Sequence, residues 1–397
     1  MAKFAVISHI LPPFPSGQAV MLYRILSAVN PDAYYLIASK EVSSPGQHGA
    51  DSHFRLPGRH YSLPPESVLN WPNRFGLKFL GTMVSNIMRI RARKKNILNI
   101  LRQEPDTKAI VACSGDLANI PSGFLASRKV HIPFFAYIFD DYAYQWTGHD
   151  RLLAKLLASF IFKRCGGTIA ANEFICAEYQ RRYGVNSTLI RNPCSASETA
   201  EESNSQWPTE SGKIKIVYTG AVYQANHDCF RNLIHVLASM PKSHLELHIF
   251  TGQSREQLDV LGIKGERVFV YPHAPYDHIL EKQRQADILF LPLSFASPLR
   301  EVIRTAAPGK MGEYLASGRP VLAHVPADSF VAYYFKKHQC GWIADQNNPN
   351  GIAKEFEKII AAPELRAKIT GNARQQAQLD FSPELARKQL LTLMPCQ

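Results

Sequence analysis

No apolar run in this chain approaches the ~18 residues that a membrane-spanning helix needs. The best candidate, Leu152–Phe162, is short and carries Lys155, so no span is expected. Cysteines are sparse: seven, an odd number, with no Cys-x-x-Cys pair. That argues against a disulfide framework and a zinc ribbon, and for buried, reduced thiols in a cytoplasmic protein. The N-terminus, MAKFAVISHILPPF, has one lysine, then strand-like residues and prolines, and does not read as a signal peptide. Asp-x-Asp is missing, as is any His/Cys/carboxylate cluster with metal-ligand spacing, so neither a metal site nor a cofactor is expected. Gly-x-Gly-x-x-Gly, Gly-x-Ser-x-Gly and His-Glu-x-x-His are absent too. Gly309-Lys310 is no Walker A loop, because Met311 follows and the upstream glycine is lacking.

Acids are also missing from one long stretch. Between Arg74 and Arg102 the chain holds Arg74, Lys78, Arg89, Arg91, Arg93, Lys94, Lys95 and Arg102, and the next acid is Glu104. Much of the formal charge of +12 sits here. Leu77, Phe79, Leu80, Met83, Ile87, Ile90, Ile97, Leu98 and Leu101 recur at largely helical spacing, so the segment reads as a basic amphipathic helix. Such a helix suits an anionic membrane surface. It equally suits solvent on one side and a core on the other. Nucleic acid is set aside, since no nucleic-acid motif accompanies the charge.

What is present is an ordinary globular composition, 46% hydrophobic and 20% charged, over 397 residues. That length favours two domains. Strand-like runs alternate with helical segments: Phe4–Ser8, Tyr34–Ala38, Ile110–Cys113, Phe134–Phe139, Gly167–Ala170 and Thr188–Ile190. After a polar, Ser/Glu-rich stretch the alternation restarts with Ile214–Thr219, Leu245–Phe250, Val268–Val270 and Ile288–Leu291, then Val321-Leu322-Ala323 and Gly341–Ile343. This predicts α/β architecture, two doubly wound parallel sheets facing a cleft. The expected division is residues 1–192, a linker at 193–213, and residues 214–380.

The second half centres on Thr305–Gly318, TAAPGKMGEYLASG. Pro308 suits a first helical turn and Gly318 a left-handed stop. Ala-Pro-Gly leaves backbone N–H groups accessible at the helix mouth, Lys310 adds a cation, and Glu313 lies one turn further on the same face. That arrangement can take a diphosphate on the amides and two sugar hydroxyls on the carboxylate. Read alone, Pro-x-Lys-x-x-Glu also fits an amphipathic helix with both charges in solvent.

With its context, PGKMGEYLASGRPVLAHVPADS resembles the GT-B glycosyltransferases, and more narrowly the retaining "group 1" enzymes of glycosyltransferase family 4. ADILFLPL (Ala286–Leu293) and Arg191-Asn192-Pro193 before the hinge add to the likeness. The resemblance spans nearly the whole chain and is strongest from Tyr218 to Ile343. It implies an N-terminal acceptor domain, a C-terminal nucleotide-sugar domain, and a last helix, about residues 381–397, crossing back to the first domain. Glu313 matches the second Glu of the family's Glu-x7-Glu motif, which holds the ribose. The first Glu falls at Thr305, a departure that Glu301 is placed to offset. Lys310 and the amides of Gly309 and Met311 match the diphosphate position, with Arg300 and Arg304 as further cations. Gly17 matches the small residue whose helix start faces the donor phosphates, and His273-Ala274 the strand end that cradles the base. Where the family often carries a basic pair after the first strand of the second half, this sequence departs and offers Gly220, Tyr223, Gln224 and His227.

For catalysis, the family's histidine position is taken by Phe139, followed by Asp140 and Asp141, two carboxylates able to orient an acceptor or to cap the loop. His9, Tyr142, Tyr144 and Trp146 are the expected acceptor contacts, or else packed core. The implied activity is retaining, metal-independent transfer of sugar from a nucleotide diphosphate to a glycan or lipid-linked acceptor of cell-surface or exopolysaccharide synthesis, peripheral to the inner membrane. A nucleotide-sugar epimerase or hydrolase of the same fold, and a catalytically silent scaffold, are the alternatives.

Overall fold

The structure, a computed structural model, describes residues 3–14, 16–38, 55–66, 78–194, 207–208, 212–240, 244–272 and 274–395, with the side chains of residues 78–80 and 277 excepted. The chain divides into two compact units, Met1–Asn192 with Pro383–Gln397, and Pro193–Ser382.

The first unit holds strands β1 (Lys3–Ser8), β2 (Tyr34–Ala38), β3 (Arg59–Ser62), β4 (Thr107–Cys113), β5 (Phe134–Ile138), β6 (Gly167–Ala170) and β7 (Ser187–Leu189). Its helices are α1 (Gly17–Leu26), α2 (Lys78–Gln103), α3 (Asn119–Val130), α4 (Gly148–Phe162) and α5 (Glu173–Tyr183). The sheet is parallel, in the order β3-β2-β1-β4-β5-β6-β7. A parallel sheet covered on both faces buries every strand position, which is why β2 reads YYLIA with all five residues buried. The edge strand β3, RHYS, is half exposed, and its polar pattern gives no strand signal.

The second unit has β8 (Ile214–Thr219), β9 (Leu245–Phe250), β10 (Val268–Tyr271), β11 (Ile288–Pro292), β12 (Val321–His324) and β13 (Trp342–Ala344). Its helices are α6 (His227–Ser239), α7 (Arg255–Val260), α8 (Tyr276–Arg284), α9 (Arg300–Thr305), α10 (Lys310–Ala316), α11 (Phe330–His338), α12 (Pro349–Ala361) and α13 (Pro363–Asp380). The strand order β10-β9-β8-β11-β12-β13 is the 3-2-1-4-5-6 order of dinucleotide-binding sheets. Ligands of such sheets bind beyond the strands' carboxyl ends, at the point where the order reverses, here the ends of β8 and β11.

The last helix, α14 (Pro383–Thr392), belongs to the first unit. Ala386, Leu390 and Met394 join the same buried cluster as Phe4, Leu22 and Ile25. The expected crossing-back helix is therefore present.

Within the basic segment, Arg74 lies outside the described residues. Two other arginines do not face outward: Arg93 is 1% exposed, and both it and Arg89 are held by Glu66 and Asp116. Ile90, Ile97, Ile100 and Leu101 bury the core side of α2, while Arg91, Lys95 and Arg102 remain exposed.

Candidate functional site

The second unit brings Lys310, Gly220 and Glu313 together around the end of β8. Residues 306–309 separate α9 from α10, and the helix expected between Pro308 and Gly318 is present as the seven residues of α10, with Gly318 left-handed beyond its end. The Lys310 side chain leaves the first turn of α10 and lies with Nζ 3.8 Å from the centroid of the Tyr218 ring. Gly220 makes this approach possible. A Cβ there would stand 2.7 Å from Nζ, and its φ of +124° disfavours any side chain. Among the described residues, Nζ has no hydrogen-bond or ion-pair partner. Enclosure away from water pulls the ammonium down to about 7, a shift the Glu313 charge partly offsets.

Glu313 is half-buried and oriented. Its Oε2 accepts from Gln283 Nε2 at 3.0 Å, and Oε1 stands 3.5 Å from the Tyr276 hydroxyl. Gln283, 1% exposed on α8, also donates to Thr219 Oγ1 at 3.1 Å. The Thr219 N–H in turn donates to the Tyr314 hydroxyl at 3.0 Å. One network therefore ties the end of β8 to α8 and α10. Chemically, the site offers a cation resting on an aromatic face and, one turn along, a held carboxylate able to accept from vicinal hydroxyls. Tyr218, Thr219, Tyr276, Gln283 and Tyr314 were not singled out from the sequence. Only the position of Tyr218-Thr219 beside Gly220 at a strand end could have flagged any of them.

Other expected donor residues are placed differently. The Met311 amide is already donated to the Pro308 carbonyl at 2.9 Å and its side chain is buried, so Met311 presents no open N–H. Thr305 is 2% exposed and turns its hydroxyl back onto the Glu301 and Val302 carbonyls of its own helix. Arg300 points to solvent, with Asp328 3.4 Å away. Arg304 is half-buried on α9, Gly309 precedes α10, and Ala274 sits in the β10–α8 connection. His273 lies outside the described residues.

In the first unit, Gly17 opens α1 with no atom within 4 Å of where its Cβ would be. His9 follows β1, packed so closely on Gly115 that a Cβ there would meet its ring at 2.7 Å. The two aspartates separate in role. Asp141 is 1% exposed, accepts from the Ala143 N–H at 3.0 Å and forms an ion pair with Arg182. It is a structural carboxylate, which corrects the catalytic expectation. Asp140 keeps an exposed surface, but protein atoms crowding its carboxyl strip it of water, and this, with the Asp141 charge, raises it above the ordinary value. Tyr142 is fully buried and donates to the Leu117 carbonyl at 2.7 Å, so it is core rather than an acceptor contact. Tyr144 is half-buried, its ring flanked by Arg151, Lys155 and Arg182 at 4.7, 4.7 and 4.8 Å. Trp146 is half-buried against the core.

Residues 200–376 match the family described as glycosyl transferases group 1. The matched stretch falls within the second unit and is similar to a group 1 glycosyl transferase domain. Solved structures extend the likeness to the whole fold. Sucrose-phosphate synthase from Thermosynechococcus elongatus superposes with a TM-score of 0.70 at 14% identity, over 99% of this chain and 98% of that one. Anabaena HepE in complex with UDP and glucose gives 0.69 at 14%, over 99% of both chains. WaaG, a glycosyltransferase involved in lipopolysaccharide biosynthesis, gives 0.62 at 16%, over 97% of this chain and 98% of that one. No curated protein matches the sequence. The chain thus has the GT-B fold, and the matched residues include Lys310 and Glu313. No helix among the described residues is long and apolar enough to cross a membrane.

Proposed function

We propose that this chain is a glycosyltransferase that moves a sugar, with retention and without a metal ion, from a nucleotide diphosphate to a glycan or lipid-linked acceptor of cell-surface or exopolysaccharide synthesis, at the inner membrane face. The observation that supports it is the Lys310 amine on the Tyr218 ring, with no hydrogen-bond or ion-pair partner among the described residues, one turn from the held Glu313 carboxylate. Glu313 takes the ribose hydroxyls and Lys310 the diphosphate.

Breaking the glycosyl–phosphate bond gathers negative charge on the diphosphate, and an enclosed cation stabilises that charge more than water would. In a retaining transfer the acceptor oxygen arrives on the face from which the diphosphate leaves. The departing phosphate then takes the acceptor's proton, and no dedicated base is needed. Asp140, exposed after β5, is the carboxylate left to orient an acceptor hydroxyl. HepE was solved with UDP and glucose, which favours a uridine nucleotide as the first donor to try.

Nucleotide-sugar turnover should be followed with and without a panel of glycan and lipid-linked acceptors, in the presence of a chelator, reading the anomeric configuration of the product. Acceptor-dependent product of retained configuration supports the reading. Inversion, or abolition by chelator, contradicts it. Turnover without acceptor means an epimerase or hydrolase. Thr305, buried where the family carries its first Glu, favours one competing reading, a silent scaffold, whose signature is binding without turnover.

A further inference from the structure

Two exposed apolar stripes of the first unit lie outside the donor site and at the margin of the core, which Phe160 meets edge-on at Phe124 with ring centroids 6.0 Å apart. On α2, Val84, Ile87 and Met88 are 43%, 37% and 50% exposed; on α4, Leu152, Leu156 and Phe160 are 48%, 57% and 48% exposed. The spacing in each case is that of one helical face. The core side of α4 is made by other residues, Leu153, Ala154, Ala158, Ile161 and Phe162. Asn86 donates to Asp150 at 2.9 Å, which sets the two helices side by side where the stripes begin.

Both stripes run into cations. Arg91, Lys95 and Arg102 are exposed along α2; Lys155, Lys163 and Arg164 are exposed on and just after α4. Asp150 is the sole acid in either helix. Arg164 holds its guanidinium 4.5 Å over the Phe160 ring while donating to the Phe160 carbonyl at 3.0 Å, an arginine lying across an exposed aromatic.

We propose that the α2–α4 face docks on an anionic lipid bilayer. Leu152, Leu156 and Phe160 enter the boundary between headgroups and acyl chains, and the flanking cations meet the lipid phosphates. Neither helix spans the bilayer; both lie in its plane. Charge selects this occupant. A second copy would set the same cations against each other, and a soluble polyanion would use the cations without the apolar stripe. The proposal deepens the lipid-linked-acceptor reading and depends on it for its purpose, not for its test. It also moves the docking surface from the basic helix alone to two helices, since Arg89 and Arg93 face inward.

The full chain should be sedimented with vesicles of phosphatidylcholine, with and without phosphatidylglycerol, and compared with a Leu156→Ser/Phe160→Ser variant and a Lys95→Glu/Lys163→Glu variant. Binding is expected to the mixed vesicles only, and to fall roughly ten-fold in each variant with an unchanged thermal midpoint. Absence of binding by the folded wild type overturns the proposal, as does binding that the serine variant leaves intact. A concentration-dependent dimer dissolved by the serine substitutions also overturns it, naming a second copy as the occupant. Nucleotide-induced thermal shifts are read on the same samples. A nucleotide shift without vesicle binding sinks the docking surface alone; vesicle binding without a nucleotide shift supports the surface and counts against the donor reading.

Discussion

The Gln283 side-chain amide stands 3.0 Å from the Glu313 carboxylate and 3.1 Å from the Thr219 hydroxyl, so one buried group joins α10 to the end of β8. A hydrogen bond to a charged group contributes about 1.5–3 kcal/mol, more than a neutral one. Gln283→Leu is expected to raise the donor KM about ten-fold with little change in kcat, because Glu313 keeps its charge but loses its orientation. Steady-state kinetics at saturating acceptor reads the split. A fall in kcat at unchanged KM would mean that Gln283 acts on the transition state and not on donor binding.

Lys310 makes donor binding depend on pH. Its ammonium titrates near 7 in the folded protein, against an ordinary lysine value of 10.5. An arriving diphosphate favours the charged form, so above about pH 7 binding takes up a proton. Donor affinity should weaken as pH rises from 7, by up to roughly ten-fold per unit. Calorimetry in buffers of different ionisation enthalpy measures the proton uptake directly.

The same shift has an opposite signature in stability. Between about pH 7 and 10.5 the unfolded chain binds more protons at this lysine than the folded one. Its contribution to stability therefore rises with pH across that window, and the cost of the buried charge is fully present below it. Lys310→Met should stabilise the unliganded protein at pH 7 and flatten the pH dependence of the urea midpoint. A variant less stable at pH 7 would contradict the enclosure of the amine.

Gly220→Ala separates the lysine's position from its charge. The added Cβ would meet Lys310 Nζ at 2.7 Å, at the movable end of a side chain, on a backbone whose φ is +124°. The expected cost is about 1–3 kcal/mol of stability from the backbone, plus a loss of donor affinity as the amine is pushed off the Tyr218 ring. Denaturant midpoints and donor titrations together test both parts.

The two adjacent aspartates should respond differently. Asp141→Asn breaks a buried ion pair with Arg182 and should cost about 3 kcal/mol. Asp140→Asn, at an exposed residue, should change stability by less than about 0.5 kcal/mol and act on turnover if it orients the acceptor. Equal stability losses would contradict the assignment.

The parallel-sheet alternation was legible because buried strands must be continuously apolar, as in YYLIA and ILFLP. β3 was not, since an exposed four-residue edge strand needs no apolar pattern. Lys310 and Glu313 were legible because both lie on one local motif. Gln283 was hidden: a glutamine on a polar helix reads as solvated until a partner thirty residues on, Glu313, turns it inward. Asp141 and Tyr142 misled for the same reason. An Asp-Tyr pair after a strand looks alike whether it faces a ligand or meets Arg182 and Leu117 from distant segments. Arg89 and Arg93 repeat the lesson, since only the fold brings Glu66 and Asp116 to them.

The central claim is that Lys310 and Glu313 hold a nucleotide diphosphate. Thermal denaturation of the wild type, Lys310→Met and Glu313→Ala against nucleotide diphosphates and their sugars tests it most directly, because a ligand bound to the folded state raises the midpoint by mass action. The account predicts a shift for one nucleotide and its sugar, strongly reduced in both variants. A folded wild type that shifts with none of them, or a shift that both variants retain, would contradict it.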